Sequence, residues 1–278
     1  MIRKGLLRFS GFLVLMFVMA GCFEVSTVVS VKPDGSGTVA ERMLMSRASF
    51  GQMQGLSDGD KKGKPGQPPD KAELEKKSRE YGEGVRFLKV RPVITKTHEG
   101  YEALYAFRDI NLLQISRKPD TGSSADSASA KEARKKNKQY VRFNLQKGSP
   151  ASPARLVIMM DQDPEAVSSG SSSPGAPPAN PEQQQMMANV MKEFFRGMRV
   201  FMAVDIDGSI LSSNAMHRQG KRITLMDVNF DMLLADPKKF ASFSALGPEP
   251  PADAMQKIME KIPGIKIEVK KEVDVTFQ

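Results

Sequence analysis

The chain has 278 residues, of which 40% are hydrophobic and 26% charged, and a formal charge of +9. That is enough apolar content for at least one core and too much for a disordered chain. With one cysteine and two histidines, no disulfide can close within the chain and no structural zinc site of Cys and His can be assembled, so neither a metal nor a cofactor is expected.

At the N-terminus Arg3, Lys4 and Arg8 precede an almost wholly apolar run from Phe9 to Met19, and Ala20, Gly21 and Cys22 follow. A charged start, a short apolar run and small residues before a cut make an export signal, here residues 1–21. The run is shorter than the ~20 residues a spanning helix needs; an uncleaved anchor is the alternative. Met19-Ala20-Gly21-Cys22 resembles the lipobox of bacterial lipoproteins, with Met19 where Leu is usual. The resemblance implies cleavage before Cys22 and palmitate-type acyl chains on it, a membrane anchor whose chains each contribute ~0.8 kcal/mol per buried methylene. Phe23, rather than Asp, follows the cysteine. In a cell with two membranes this implies the outer membrane, facing the periplasm.

Removal of the signal takes Arg3, Lys4 and Arg8 from the charge. The remaining excess lies in blocks at Lys61, Lys62 and Lys64, at Arg134, Lys135, Lys136 and Lys138, and at Lys270-Lys271. On a tethered protein such blocks suit anionic lipid or cell-wall polymer, or else they are solvated loop charges. Nucleic acid is not an expected partner, since export removes the opportunity and no aromatic-interleaved basic motif is present.

The exported part opens on a strand in which Phe23, Val25, Thr27, Val29 and Val31 share one face. Lys32-Pro33-Asp34-Gly35-Ser36-Gly37 reads as a turn, and a second strand from Thr38 to Met45 completes a hairpin. Residues 51–69 read as a loop. Asp70 with Glu73 forms a capping box for a helix that stops at Gly82. Strands are expected over Val85–Thr97 and Gly100–Phe107, joined by a turn at His98-Glu99-Gly100. Tyr101, Ala103, Tyr105 and Phe107 share one face of the second, as core or as an aromatic ligand platform.

Residues 117–138 and 161–181 are low-complexity segments that lack the apolar content to repay ordering, and are expected to be mobile insertions. The hairpin between them, Val141 to Leu145 and Leu156 to Met160, is expected to join the main sheet, because two strands alone are marginal. Met186, Met187, Val190, Met191, Phe194, Phe195 and Met198 form the apolar stripe of a helix opened by Pro181. Strands follow over Arg199–Asp205, Ser209–Ser213 and Lys221–Asn229. A second amphipathic helix, Ala252 to Ile262, ends at Pro263-Gly264. The last strand runs from Ile265 to Phe277, with Lys271 breaking its apolar series as a bulge or edge.

Catalytic signatures are absent: no phosphate loop, no nucleophile elbow and no His-Glu-x-x-His. His98 and His217 lie in no recognisable catalytic context. Asp205 and Asp207 before Gly208 resemble the start of a calcium loop, but the later ligand positions fail, so a turn is expected. The chain therefore reads as a non-enzyme, and an unusual hydrolase would need acidic residues gathered near His98 or His217.

Gly21-Cys22, the alternating strand after it and Val31-Lys32-Pro33-Asp34-Gly35-Ser36-Gly37-Thr38-Val39 resemble the start of lipoproteins of the LppM type. That resemblance implies a compact β-rich unit associated with lipid binding; only the role of Cys22 carries over to a residue. The expectation is one α+β domain, residues 22–278: a curved, largely antiparallel sheet packed against two amphipathic helices, with disordered insertions. Its expected function is a non-catalytic envelope module binding lipid, glycan or another envelope component, with a structural or assembly partner of an envelope protein complex as the alternative. An apolar hollow inside the sheet would favour lipid; a packed interior with a solvent-facing apolar patch would favour assembly.

Overall fold

The structure, a computed structural model, describes residues 23–47, 68–117, 139–149, 152–161, 197–236 and 265–278. Cys22, both Met-rich helices apart from Met198, and most of the three expected insertions lie outside the described residues. Among those described, no helix is long and apolar enough to cross a membrane.

Among the described residues thirteen strands form two sheets. The first contains β1 (Phe23–Val31), β2 (Gly37–Ser46), β3 (Arg86–Ile94), β4 (His98–Phe107), β8 (Arg199–Ile206), β10 (Arg218–Gln219), β11 (Arg222–Asn229) and β12 (Lys266–Ile267). Its order is β10-β11-β8-β1-β2-β4-β3, with β12 also on β11. Every pairing is antiparallel except β1 with β8. The second sheet is antiparallel, ordered β5 (Gln114–Ser116), β6 (Tyr140–Gln146), β7 (Ala154–Met160), β13 (Glu272–Phe277) and β9 (Ile210–Ser213).

The expectation of one sheet backed by two amphipathic helices is overturned. The fold is mainly β, with two described α-helices, α1 (Lys71–Glu80) and the single-turn-scale α2 (Phe230–Leu234), beside a short 3₁₀ helix at Ile110–Leu112. The reason lies in the alternation. Val29, Val31, Val39, Tyr105, Phe107, Val204 and Ile223 from the first sheet share one core with Phe143, Leu145, Leu156, Ile158, Val273, Val275 and Phe277 from the second. Two period-two apolar faces bury each other, as in a β-sandwich, so a sheet supplies the covering layer expected of helices. For the same reason the β6–β7 hairpin joins this second sheet instead of extending the first.

The local signals explain the ends of the elements. In the β1–β2 turn Gly35 takes φ 87°, and Asp34 Oδ1 accepts from the Ser36 amide at 2.8 Å and from its hydroxyl at 2.7 Å. Asp70 caps α1 by accepting from the Glu73 amide at 2.8 Å. The turn expected at His98-Glu99-Gly100 falls earlier: Thr95 N donates to His98 O at 2.8 Å, and those three residues belong to β4.

The C-terminal alternation is also broken into two strands. β12 pairs with β11 in the first sheet, whereas β13 pairs with β7 and β9 in the second. Between them Glu268, only 2% exposed, accepts from the backbone N–H groups of Met216 at 2.7 Å and Lys270 at 3.1 Å. The chain changes sheets at the position where Lys271 interrupts the apolar series.

Candidate functional site

The face of the first sheet turned away from the second carries the most organised polar surface among the described residues. The registers of β11, β8, β1, β2 and β4 align it into cross-strand rows. One row is Arg222, Asp205, Ser30, Thr38 and Ala106; the next is Thr224, Ala203, Val28, Ala40 and Leu104; a third is Asp227, Phe201, Ser26, Arg42 and Glu102. Small side chains on β1 and β2 thus make a floor, and long charged ones on β4, β8 and β11 make walls. Two adjoining open grooves result, of about 350 Å³ over Ser26, Val28, Ala40 and Phe201, and about 540 Å³ at the end over Ser30, Thr38, Gln219 and Lys221. Arg222 lines both.

The walls are ordered by forked ion pairs, in which two parallel N–H donors of one guanidinium meet one carboxylate. Arg222 donates to both oxygens of Asp205 at 2.7 Å, and Arg199 to those of Asp227 at 3.0 and 3.2 Å. Both guanidiniums also lie over Phe201, 5.7 and 5.8 Å from the ring centre, a cation–π geometry that fixes the ring. On the opposite wall Glu102 binds Arg42 at 3.0 Å and Arg91 at 2.7 Å. Burial pushes the Glu102 carboxyl up, but hydrogen bonds from Arg91 and Arg42 outweigh it and hold the group below its ordinary value. Hydrogen bonds from Asp227 and Asp205 raise Arg199 and Arg222 further above the ordinary guanidinium value.

The charges of Arg42, Arg91, Glu102, Arg199, Asp227, Arg222 and Asp205 are therefore matched within the protein. The forked pairs set donors and acceptors side by side, which suits a ligand rich in hydroxyl and amide groups, while Lys32, Asp207 and Lys221 at the end groove and Glu24 at the other stand outside these pairs.

The residues singled out from the sequence are scattered. Asp205 belongs to the groove wall as the Arg222 partner, while the Asp207 amide donates to Val31 O at 2.8 Å as part of a turn. His98 opens β4 with its Nδ1 2.9 Å from the Thr97 hydroxyl, and the His217 Nε2 is buried with no hydrogen-bond partner. Among the described residues no group of three His, Cys, Asp or Glu is arranged to hold a metal. Tyr101, Ala103, Tyr105 and Phe107 are buried core, not an exposed platform. Sequence reasoning did not find Phe201, Arg199, Arg222, Arg42 or Glu102. The available signal was the polar half of each alternating strand, which acquires meaning only when the parallel β1–β8 register is known.

No family model matches this chain, and no curated protein matches it. Among solved structures it is similar to the folded domain of LppM from Mycobacterium tuberculosis, determined by NMR, at 8% sequence identity over 76% of this chain and 84% of that domain, with a TM-score of 0.31. A likeness that small carries no weight for fold or function.

Proposed function

We propose that the chain is a non-catalytic, lipid-anchored lipoprotein of the bacterial envelope that binds an extended glycan, such as a cell-wall polymer, along the outer face of its first sheet. The anchor rests on the lipobox-like Met19-Ala20-Gly21-Cys22 and on β1 beginning at Phe23, which leaves no tether between the acylated residue and the sheet. The observation that carries the ligand reading is the groove itself: a floor of Ser26, Ser30, Thr38 and Ala40 between walls of internally neutralised Arg–carboxylate forks. A lipid carrier needs an apolar hollow between its layers. Here Tyr105, Leu156, Ile158 and Phe277 are fully buried in the shared core, and both grooves lie on the other side of the sheet.

The test is co-sedimentation of the full chain with purified peptidoglycan. Phe201→Ala, and Ser26→Trp to fill the floor, should each cut retention at least fivefold while Cys22→Ser leaves it unchanged. Retention unaffected by both groove variants overturns the glycan reading. Fractionation of Cys22→Ser separately tests the anchor, which fails if that variant still partitions with membranes like the parent.

A second reading, an assembly partner, is favoured by edge strand β3. Among the described residues it pairs only with β4, and it exposes Leu88 and Ile94, 47% and 68% accessible. Exposed apolar side chains on an unpaired edge suit a strand-adding protein partner. Crosslinking in cells from a photoreactive residue at position 94 should then capture a protein, and capture of none opposes it.

A further inference from the structure

On the inner face of the first sheet one residue breaks the apolar series. Glu41 stands in β2 where the register places Thr27 and Ala103 beside it, with Val39 and Met43 before and after it on the same face. It is only 6% exposed. Among the described residues its two oxygens are satisfied from α1 and its cap: Lys77 Nζ binds Oε1, and the hydroxyl of Tyr81, the residue that ends the helix, binds Oε2. Around it stand aromatic rings, with Tyr81 edge-on to Tyr105 at 5.0 Å between centres and Phe87 on the other side of Tyr105 at 5.9 Å. The Tyr105 hydroxyl is completely buried and has no hydrogen-bond partner among the described residues.

A carboxylate in an aromatic setting with an unpaired hydroxyl close by is an expensive way to dock a helix. Desolvating a charge pair carries a cost that an apolar pair does not, and an unpaired buried hydroxyl adds to it. The helix itself contributes few side chains to the core. Of its own residues only Leu74 and Ser78 are buried, and the Ser78 hydroxyl is bound locally to Glu75 O at 2.7 Å. Its C-terminal end is anchored, with Tyr81 O accepting from the Gln114 amide at 2.8 Å and Gly82, at φ 128°, packed against Leu112 O, so that displacement of the rest of α1 pivots on that end.

We propose that the Glu41 pocket is a binding site for a primary alkylammonium group carrying an oxygen acceptor, and that Lys77 fills it as an internal surrogate until α1 moves aside. The ammonium takes the place of Lys77 Nζ on Glu41, the rings of Tyr81 and Tyr105 favour a cation beside them, and the Tyr105 hydroxyl donates to the ligand oxygen. This goes beyond the glycan reading and uses the opposite face of the sheet.

Ethanolamine and its near-isostere n-propylamine are the probes, titrated by calorimetry into the full chain and its variants. Removing the surrogate with Lys77→Ala should tighten ethanolamine at least tenfold over the parent, and ethanolamine should exceed n-propylamine at least fivefold. Tyr105→Phe in that background should abolish the preference between the two amines, and Glu41→Gln should abolish binding of both. In the parent, saturating ethanolamine should raise amide exchange in α1 and leave β1 and β8 unchanged. Equal affinity of parent and Lys77→Ala, or binding that survives Glu41→Gln, overturns the proposal. If Glu41→Gln fails to fold, the Tyr105→Phe comparison decides alone: an unchanged preference is refutation. A free amine and an aminolipid headgroup share this chemistry. Competition of ethanolamine by phosphatidylethanolamine vesicles, and not by phosphatidylglycerol vesicles, identifies the lipid as a source; no competition identifies the free amine.

Discussion

Arg222 and Asp205 sit directly opposite each other across the β8–β11 ladder, and the guanidinium that clamps Asp205 also lies over the Phe201 ring. One arginine therefore fixes both an ion pair and the aromatic wall of the groove. The pair is substantially exposed, 44% for Arg222 and 30% for Asp205, so its direct contribution to stability is about 1 kcal/mol or less. Arg222→Met should barely move the urea midpoint yet reduce peptidoglycan retention severalfold. A large loss of stability with retention intact would place Arg222 in the scaffold and outside the groove.

Glu102 gives the opposite wall a pH signature. Its folded-state pKa lies below the ordinary one, because Arg91 and Arg42 favour the ionised form more than burial opposes it. Between the two values the unfolded chain binds the extra proton, so this contribution rises with pH there. It is complete above the ordinary carboxylate range of about 4.3 and is lost as pH falls through the depressed folded value. Glu102→Gln should flatten the dependence of the urea midpoint between about pH 6 and about pH 3. An acid-side slope equal to that of the parent would assign the effect to other carboxylates.

Much of the fold was legible strand by strand. Alternation located β1, β2, β4, β6, β7, β8 and β11 within a residue or two, and the Asp70 cap located α1. Partition into two sheets was not legible, because period-two alternation says which face is buried and not what buries it. The run from Ile265 to Phe277 shows this best: one apolar series serves two different sheets, and its single break, at Lys271, was the only hint of the crossing. The groove was hidden for a related reason, since Arg199, Phe201, Arg42 and Glu102 come onto one face only through the cross-strand register. Glu41 was not read from the sequence either, although it sets a charge between Val39 and Met43 on the buried face of its strand.

Glu268 should prove important to the sheet crossing. It is buried, and its carboxylate serves the Met216 and Lys270 amides at the point where the chain leaves β12 for β13. Glu268→Ala strands two amide donors and should destabilise the protein by about 2–4 kcal/mol. Glu268→Gln keeps an acceptor and should cost roughly half as much. Urea denaturation of both variants checks this, and equal small losses would mean that water replaces the carboxylate at the crossing.

The clamp beneath α1 can be read without any ligand, because the chain contains no tryptophan and four tyrosines, so tyrosinate absorbance is clean. Burial first, and the nearby Glu41 charge second, push Tyr81 and Tyr105 well above the ordinary phenol value of about 10. A raised folded-state pKa means that the unfolded chain releases the proton first as the solution becomes alkaline. Stability from these two groups is therefore whole below about pH 10 and declines as pH climbs from there toward their folded values. Tyr81 and Tyr105 should be missing from the first tyrosinate step and appear only together with loss of the far-ultraviolet strand signal. Glu41→Gln should bring their ionisation to lower pH while the fold persists, since the charge that opposes a phenolate is gone. If all four tyrosines ionise near pH 10 with the strands intact, water reaches the Glu41 site freely, and α1 cannot be the element that seals it.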